Sequence, residues 1–136
     1  MKTTFYTLFA LAILSTISCK DTAIHSPLVG RWRVVGYYLS SGGPQYYVPA
    51  SNQEIQYIQF KDNGLFSGNA YKNYASYSIK DNRTVVINYE NTAPDYASQP
   101  YKSISLYFSF RNDTLSMSPA GPVVCIEGCS TRFVRY

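Results

Sequence analysis

Leu28-Val29-Gly30-Arg31-Trp32-Arg33-Val34-Val35 is the stretch from which the rest of the chain is read. It carries the only tryptophan of the 136 residues, two positions after a glycine, at the head of the first run with strand character. From Trp32 onward the chain alternates with a period of two. Trp32, Val34, Gly36 and Tyr38 share one face, and Arg33, Val35, Tyr37 and Leu39 the other, with apolar content on both. Ser40-Ser41-Gly42-Gly43-Pro44 ends this strand, and a loop through Tyr46, Tyr47 and Pro49 is predicted to run to about Gln53.

Seven further strands follow. The second covers residues 54–61, and its apolar phase slips between Tyr57 and Ile58, which points to a bulge or burial on both faces. Asp62-Asn63-Gly64 is a tight-turn signal. Strands over 65–70, with Phe66, and 74–80, with Tyr77 and Ile79 in phase, lead to a second turn at Asp81-Asn82-Arg83. The strand over 84–90 sets Val85, Ile87 and Tyr89 in phase, and a Pro-containing loop over 91–101 follows. Then Ile104, Leu106, Phe108 and Phe110 alternate with Ser103, Ser105, Tyr107 and Ser109, which makes one face decisively apolar. Arg111-Asn112-Asp113 is a third turn, and strands over 114–118 and 130–136 complete the set. Eight strands without a helical period predict an all-β fold, an eight-stranded antiparallel up-and-down β-barrel.

In that topology alternate connections share an end. The tight Asp/Asn turns gather at one end, the base, and the longer connections at the other, the mouth. The first strand starts at the base and the last one finishes there, which places Trp32 at the base. With this strand order, Gly30-x-Trp32 resembles the opening motif of the lipocalins and their bacterial lipocalin-like relatives. The resemblance spans residues 28–136 as strand order, with Gly30, Trp32 and a C-terminal arginine as its residue-level content. It implies that Trp32 plugs the closed end and that a final-strand arginine covers it. Arg135, in phase with Phe133, is the first choice, and one bulge would substitute Arg132.

Composition agrees with a sheet-rich globular domain: aromatics are 16% and charged residues 15%. A net charge of +4 without a run of Lys or Arg argues against nucleic acid as a partner. At the N-terminus, Lys2 precedes an apolar run over 5–17, too short to span a membrane and proportioned as a signal peptide over 1–18. Residues 14–19 resemble a bacterial lipoprotein processing site, with Thr16 where leucine is usual. The implication is a lipidated Cys19 and an exported, membrane-anchored lipoprotein of a Gram-negative cell envelope; ordinary cleavage leaving a free Cys19 is the alternative. Residues 19–27 then form a tether, and its last eight residues reach roughly 26 Å at ~3.3 Å per residue. His25, the only histidine, falls in this tether without an acidic partner and reads as solvated. Cys125 and Cys129 flank a Gly-containing spacer in the last mouth loop, and in an exported protein they read as a disulfide. Paired C-terminal cysteines of this kind also occur in small bacterial lipocalin-like lipoproteins.

Two functions of different class fit. In one, the barrel is a cup for a small hydrophobic or aromatic ligand, lined by Val34, Phe60, Phe66, Tyr77, Ile87, Leu106 and Phe108, with Tyr46 and Tyr47 as a lid. In the other, the core is filled and the mouth loops dock an envelope protein or glycan through Tyr46, Tyr47, Tyr96 and Tyr101. No cofactor, metal site or catalytic pair is read: Asp62, Asp81 and Asp113 serve turns, and Glu54, Glu90 and Glu127 approach the mouth without a partner. The volume of the barrel interior separates the two functions.

Overall fold

The computed structural model describes residues 26–123, 125 and 128–136. The expected signal peptide over 1–18, Cys19, most of the expected tether with His25, and Glu127 lie outside the described residues. The described strands are β1 (Gly30–Leu39), β2 (Tyr46–Pro49), β3 (Tyr57–Phe60), β4 (Phe66–Ser67), β5 (Tyr74–Ile79), β6 (Thr84–Tyr89), β7 (Ser103–Arg111), β8 (Thr114–Gly121) and β9 (Ser130–Arg135). They form one antiparallel sheet in the order β4-β3-β1-β9-β8-β7-β6-β5, with β2 beside β1. The last strand returns to the first, Trp32 facing Arg135 and Val34 facing Phe133. The ring nearly closes where Leu65 bridges Ser76 and the Tyr77 N–H donates to the Gly64 carbonyl at 2.8 Å. The chain therefore forms the all-β, lipocalin-like up-and-down barrel expected from its alternation, with no helix among the described residues.

β2 is the departure. Residues 46–49 were expected in a loop, yet they fold back as a hairpin on the upper half of β1, Leu39 opposite Tyr46 and Gly36 opposite Pro49. β3 takes the lower half, from Arg33 opposite Tyr57 to Gly30 opposite Phe60. The hairpin turn closes when the Ser40 hydroxyl donates to the Gly43 carbonyl at 2.7 Å. Tyr46, Tyr47 and Val48 favour strand, and Pro49 is tolerated because β2 is an edge.

The faces of β1 also differ from strict alternation. Val34 pairs with Phe133 but Gly36 pairs with Arg132, so Val35 is an extra residue and the strand bulges there. Trp32 and Val34 point inward, whereas Gly36 and Tyr38 lie on the outer face, opposite to the phase expected for them. The slip expected at Tyr57 and Ile58 is absent, since β3 pairs with β1 in unbroken register. Ile55 lies before β3 and is 47% exposed, so its parity says nothing about the strand.

Trp32, Ile58, Phe60, Val85, Ile87, Leu115, Met117 and Phe133 fill the centre, each at most 2% exposed. Burial of a large apolar side chain contributes about 1.5–3 kcal/mol, so this centre dominates the folding energy. The three short turns share the base. In the second, the Arg83 N–H donates to Asp81 Oδ1 at 2.8 Å and holds the Asp81 carboxyl below the usual carboxylate range. The longer connections, residues 40–45, 68–73, 90–102 and the described part of 122–129, lie toward the opposite end. Residues 50–56 loop out from the middle of β1, the Ala50 N–H donating to the Val35 carbonyl at 3.0 Å and the Val34 N–H to the Gln56 carbonyl at 2.9 Å.

Candidate functional site

At the base, the Trp32 Nε1–H donates to the Leu28 carbonyl at 2.7 Å, and the Arg135 Cζ sits 4.3 Å from the centre of the indole. Arg135 also donates to the Val29 carbonyl at 2.8 Å and the Pro27 carbonyl at 3.1 Å. Gly30 has φ +139°, and a Cβ there would run into the Arg135 guanidinium, so glycine is what lets the arginine cross the strand. Gly30, Trp32 and Arg135 thus form one cluster, while Arg132 does not join it. The bulge at Val35 puts Arg132 on the outer wall, its Cζ 5.8 Å from the Tyr38 ring and 5.9 Å from the Tyr47 ring. Leu28, fully buried in the turn before β1, completes the plug.

The residues expected to line a cup are packed together. Phe60, Phe66, Tyr77, Ile87, Leu106 and Phe108 are 0–8% exposed, with the Phe60 ring 5.1 Å from Phe66 and 4.9 Å from Tyr77. The Tyr77 hydroxyl donates to the Lys61 carbonyl at 2.6 Å, which turns it toward the base and away from a ligand. At the mouth a cleft of about 160 Å³ is bounded by Val34, Tyr37, Gln56, Ala70, Tyr71, Thr131 and Phe133. Sites for drug-sized molecules are about 300–1,000 Å³, so this cleft admits a single ring or side chain.

Beside it runs a ladder of phenols of which only Tyr96 was among the candidate residues read in the sequence. Tyr71, Tyr74, Tyr89 and Tyr96 follow one another at 6.3, 5.1 and 6.4 Å between ring centres. The Tyr89 hydroxyl donates to Asp95 Oδ2 at 2.7 Å and accepts from Asn73 Nδ2 at 2.8 Å, which fixes the 90–102 connection to the wall. The shared parity of Ile87 and Tyr89 was the one available signal; Tyr71 enters from a connection with no period to read.

Of the four tyrosines expected as mouth anchors, only Tyr96 belongs to this ladder, under Lys102, whose Nζ is 4.2 Å from its ring. Tyr46 and Tyr101 are 52% and 42% exposed, on strands and connections three walls apart. Tyr47 is a strand residue of the outer face rather than a lid. Its ring lies 5.3 Å from Tyr38, and its hydroxyl donates to the Val35 carbonyl at 2.8 Å. Cys125 and Cys129 are bridged, with their Cα atoms 5.8 Å apart, in the last mouth connection.

Burial pushes the Tyr71 phenol up to about 12, helped by Tyr74 and Tyr37, and burial raises Tyr74 in the same direction. Above pH 10, the ordinary value for tyrosine, the unfolded chain releases this proton while the folded chain retains it. The folded state then holds more protons, so stability falls with rising pH. Urea unfolding should be insensitive to Tyr71 below pH 10 and lose stability between 10 and about 12, and Tyr71→Phe should flatten that limb. An identical alkaline limb in Tyr71→Phe would show that the phenol is not sequestered.

No protein family, curated protein or solved structure matches this chain.

Proposed function

We propose that the chain is an exported lipoprotein, held in a Gram-negative envelope by lipid on Cys19, that docks an envelope protein through the mouth of a solid barrel. The observation that carries this reading is the filled interior. Phe60, Phe66, Tyr77, Ile87, Leu106 and Phe108 occupy the space a carrier would leave open, and the cleft beside them, bounded by Val34, Tyr37, Tyr71 and Phe133 among the described residues, is about 160 Å³. A cleft of that size takes one apolar or aromatic side chain of a partner, set between Tyr37 and Tyr71. Exposed Tyr46 and Tyr101, on separate parts of the rim, supply further aromatic contact. Arg135 ties Pro27 and Val29 to the base, so the tether leaves at the end opposite the mouth. A lipid at Cys19 then leaves the mouth directed away from the membrane.

The apolar walls of the cleft, Val34, Ala70 and Phe133, also favour a second reading, a very small aromatic ligand held there. In-cell photo-crosslinking separates the two. A benzophenone amino acid at Tyr46 or Tyr101 should give a discrete protein adduct, and the same group at Asn63 or Asp113 in the base turns should give none. Adducts at the base alone, or a stoichiometric small molecule retained in native mass spectrometry, would defeat the docking reading.

A further inference from the structure

The outer wall built by β7, β8, β9 and β1 has a chemistry of its own. Because Leu106, Phe108, Leu115, Met117 and Phe133 point inward, the alternate residues face out. Tyr107 pairs with Ser118 and Ser109 with Ser116, Ser116 pairs with Arg132, and Ser130 pairs with Tyr38. Continuing the β8–β9 register one residue past Met117 opposite Thr131 sets Ser118 beside Ser130, so one row across the four strands reads Tyr107, Ser118, Ser130, Tyr38. At ~4.8 Å per strand it spans about 14 Å. Beside Tyr107 the short hydroxyl side chains leave a shallow trough of about 830 Å³, its floor Ser109, Ser116, Ser118 and Ser130 and its edges Arg83 and the exposed Phe110.

Charge on the four strands has one sign, and the turn that adds Arg83 to the trough also carries Asp81. The four strands contain Arg31, Arg33, Arg111, Arg132 and Arg135 and neither aspartate nor glutamate. Arg135 turns to the base, and Arg132 stands over Tyr38 and Tyr47 at one flank. Arg83 lies at the trough's other side, its carbonyl accepting from the Phe108 N–H at 2.7 Å.

We infer that this trough binds an acidic polysaccharide. Sugar rings stack on the faces of Tyr107 and of the Tyr38–Tyr47 pair, their hydroxyls exchange hydrogen bonds with the serines, and their carboxylates meet the guanidinium groups of Arg83 and Arg132. Tyr107 is 54% exposed with no core function, as a stacking platform requires. A bilayer surface is a poorer fit: a plane resting on the tyrosines does not reach the hydroxyl floor between them, whereas a chain laid along the row does.

The test is affinity electrophoresis of the purified full-length protein in gels containing polygalacturonate, with neutral dextran as the control. Retardation is expected with polygalacturonate alone. Tyr107→Ala and Ser118→Asp should each weaken it at least tenfold while retaining the parent melting temperature. Lys72→Gln, which removes one positive charge far from the trough, should change it less than twofold. If Ser118→Asp melts early, Tyr107→Ala decides. The inference is overturned by no retardation, by equal weakening in Lys72→Gln, or by retardation unaffected in Tyr107→Ala. It is also overturned if phosphatidylglycerol vesicles or oligothymidylate bind more tightly than polygalacturonate with the same dependence on Tyr107 and Ser118, which would put a membrane or a single strand in the trough.

Discussion

Trp32→Ala is expected to lower the free energy of unfolding by about 3–5 kcal/mol, the usual cost of removing a large aromatic from a packed core. The residue is 2% exposed, and its loss opens a void between Phe110, whose ring is 5.7 Å away, and the Leu28 plug. Two further losses act in the same direction. The Leu28 carbonyl loses its donor, and Arg135 loses the ring beneath it, a contact of about 0.5–2 kcal/mol. Small domains are stable by about 5–15 kcal/mol in total, so the variant should be near the edge of folding. Urea unfolding followed by circular dichroism measures the change. Trp32→Phe retains much of the volume and loses the Nε1–H donor, so its cost should be clearly smaller. A Trp32→Ala protein with the parent's midpoint would mean that the base is closed by Leu28 and Arg135 without the indole.

Gly68→Ala should cost about 2–6 kcal/mol. Gly68 has φ +141°, a conformation that strains a residue with a side chain by about 1–3 kcal/mol. A Cβ there also runs into the Tyr57 carbonyl oxygen and lies 2.8 Å from the Ile58 Cα. Both obstacles are backbone of β3 and have no rotamer to yield, so overpacking adds about 1–3 kcal/mol. The close approach serves the mouth, because directly after Gly68 the chain is stitched to the entrance of β3. Asn69 Oδ1 accepts from the Tyr57 N–H at 2.8 Å, Asn69 Nδ2 donates to the Ile55 carbonyl at 3.0 Å, and the Ala70 N–H donates to the Tyr57 carbonyl at 3.3 Å. Tyr71 takes its place in the mouth cleft from this anchored segment. Thermal and urea melts test the stability loss; a variant within experimental error of the parent would show that β3 and β4 can separate without penalty.

What the sequence by itself determined is the part governed by neighbours along the chain. The period of two in Ile104, Leu106, Phe108 and Phe110 defines β7, because an inward and an outward face alternate residue by residue. Asp62-Asn63-Gly64, Asp81-Asn82-Arg83 and Arg111-Asn112-Asp113 define the three base turns through side-chain and backbone preferences that act over two or three residues. The shared parity of Phe133 and Arg135 was enough to choose Arg135 for the position beside Trp32. Tertiary structure decided what depends on pairing between distant segments. Only the β1–β9 register reveals the bulge at Val35, and that one extra residue moves Gly36 and Tyr38 to the outer wall and leaves Arg132 there. β2 exists because β3 is short and leaves the upper half of β1 unpaired, a vacancy that no local pattern in Tyr46, Tyr47 and Val48 announces. Whether Phe60, Phe66 and Tyr77 line a cup or fill it was also undetermined, since alternation states which way a side chain points but not how far the opposite wall lies. In the folded chain these three are 1–4% exposed, with the Phe60 ring about 5 Å from Phe66 on the paired strand and from Tyr77 on the strand beyond it, a closeness that depends on strand pairing and not on alternation.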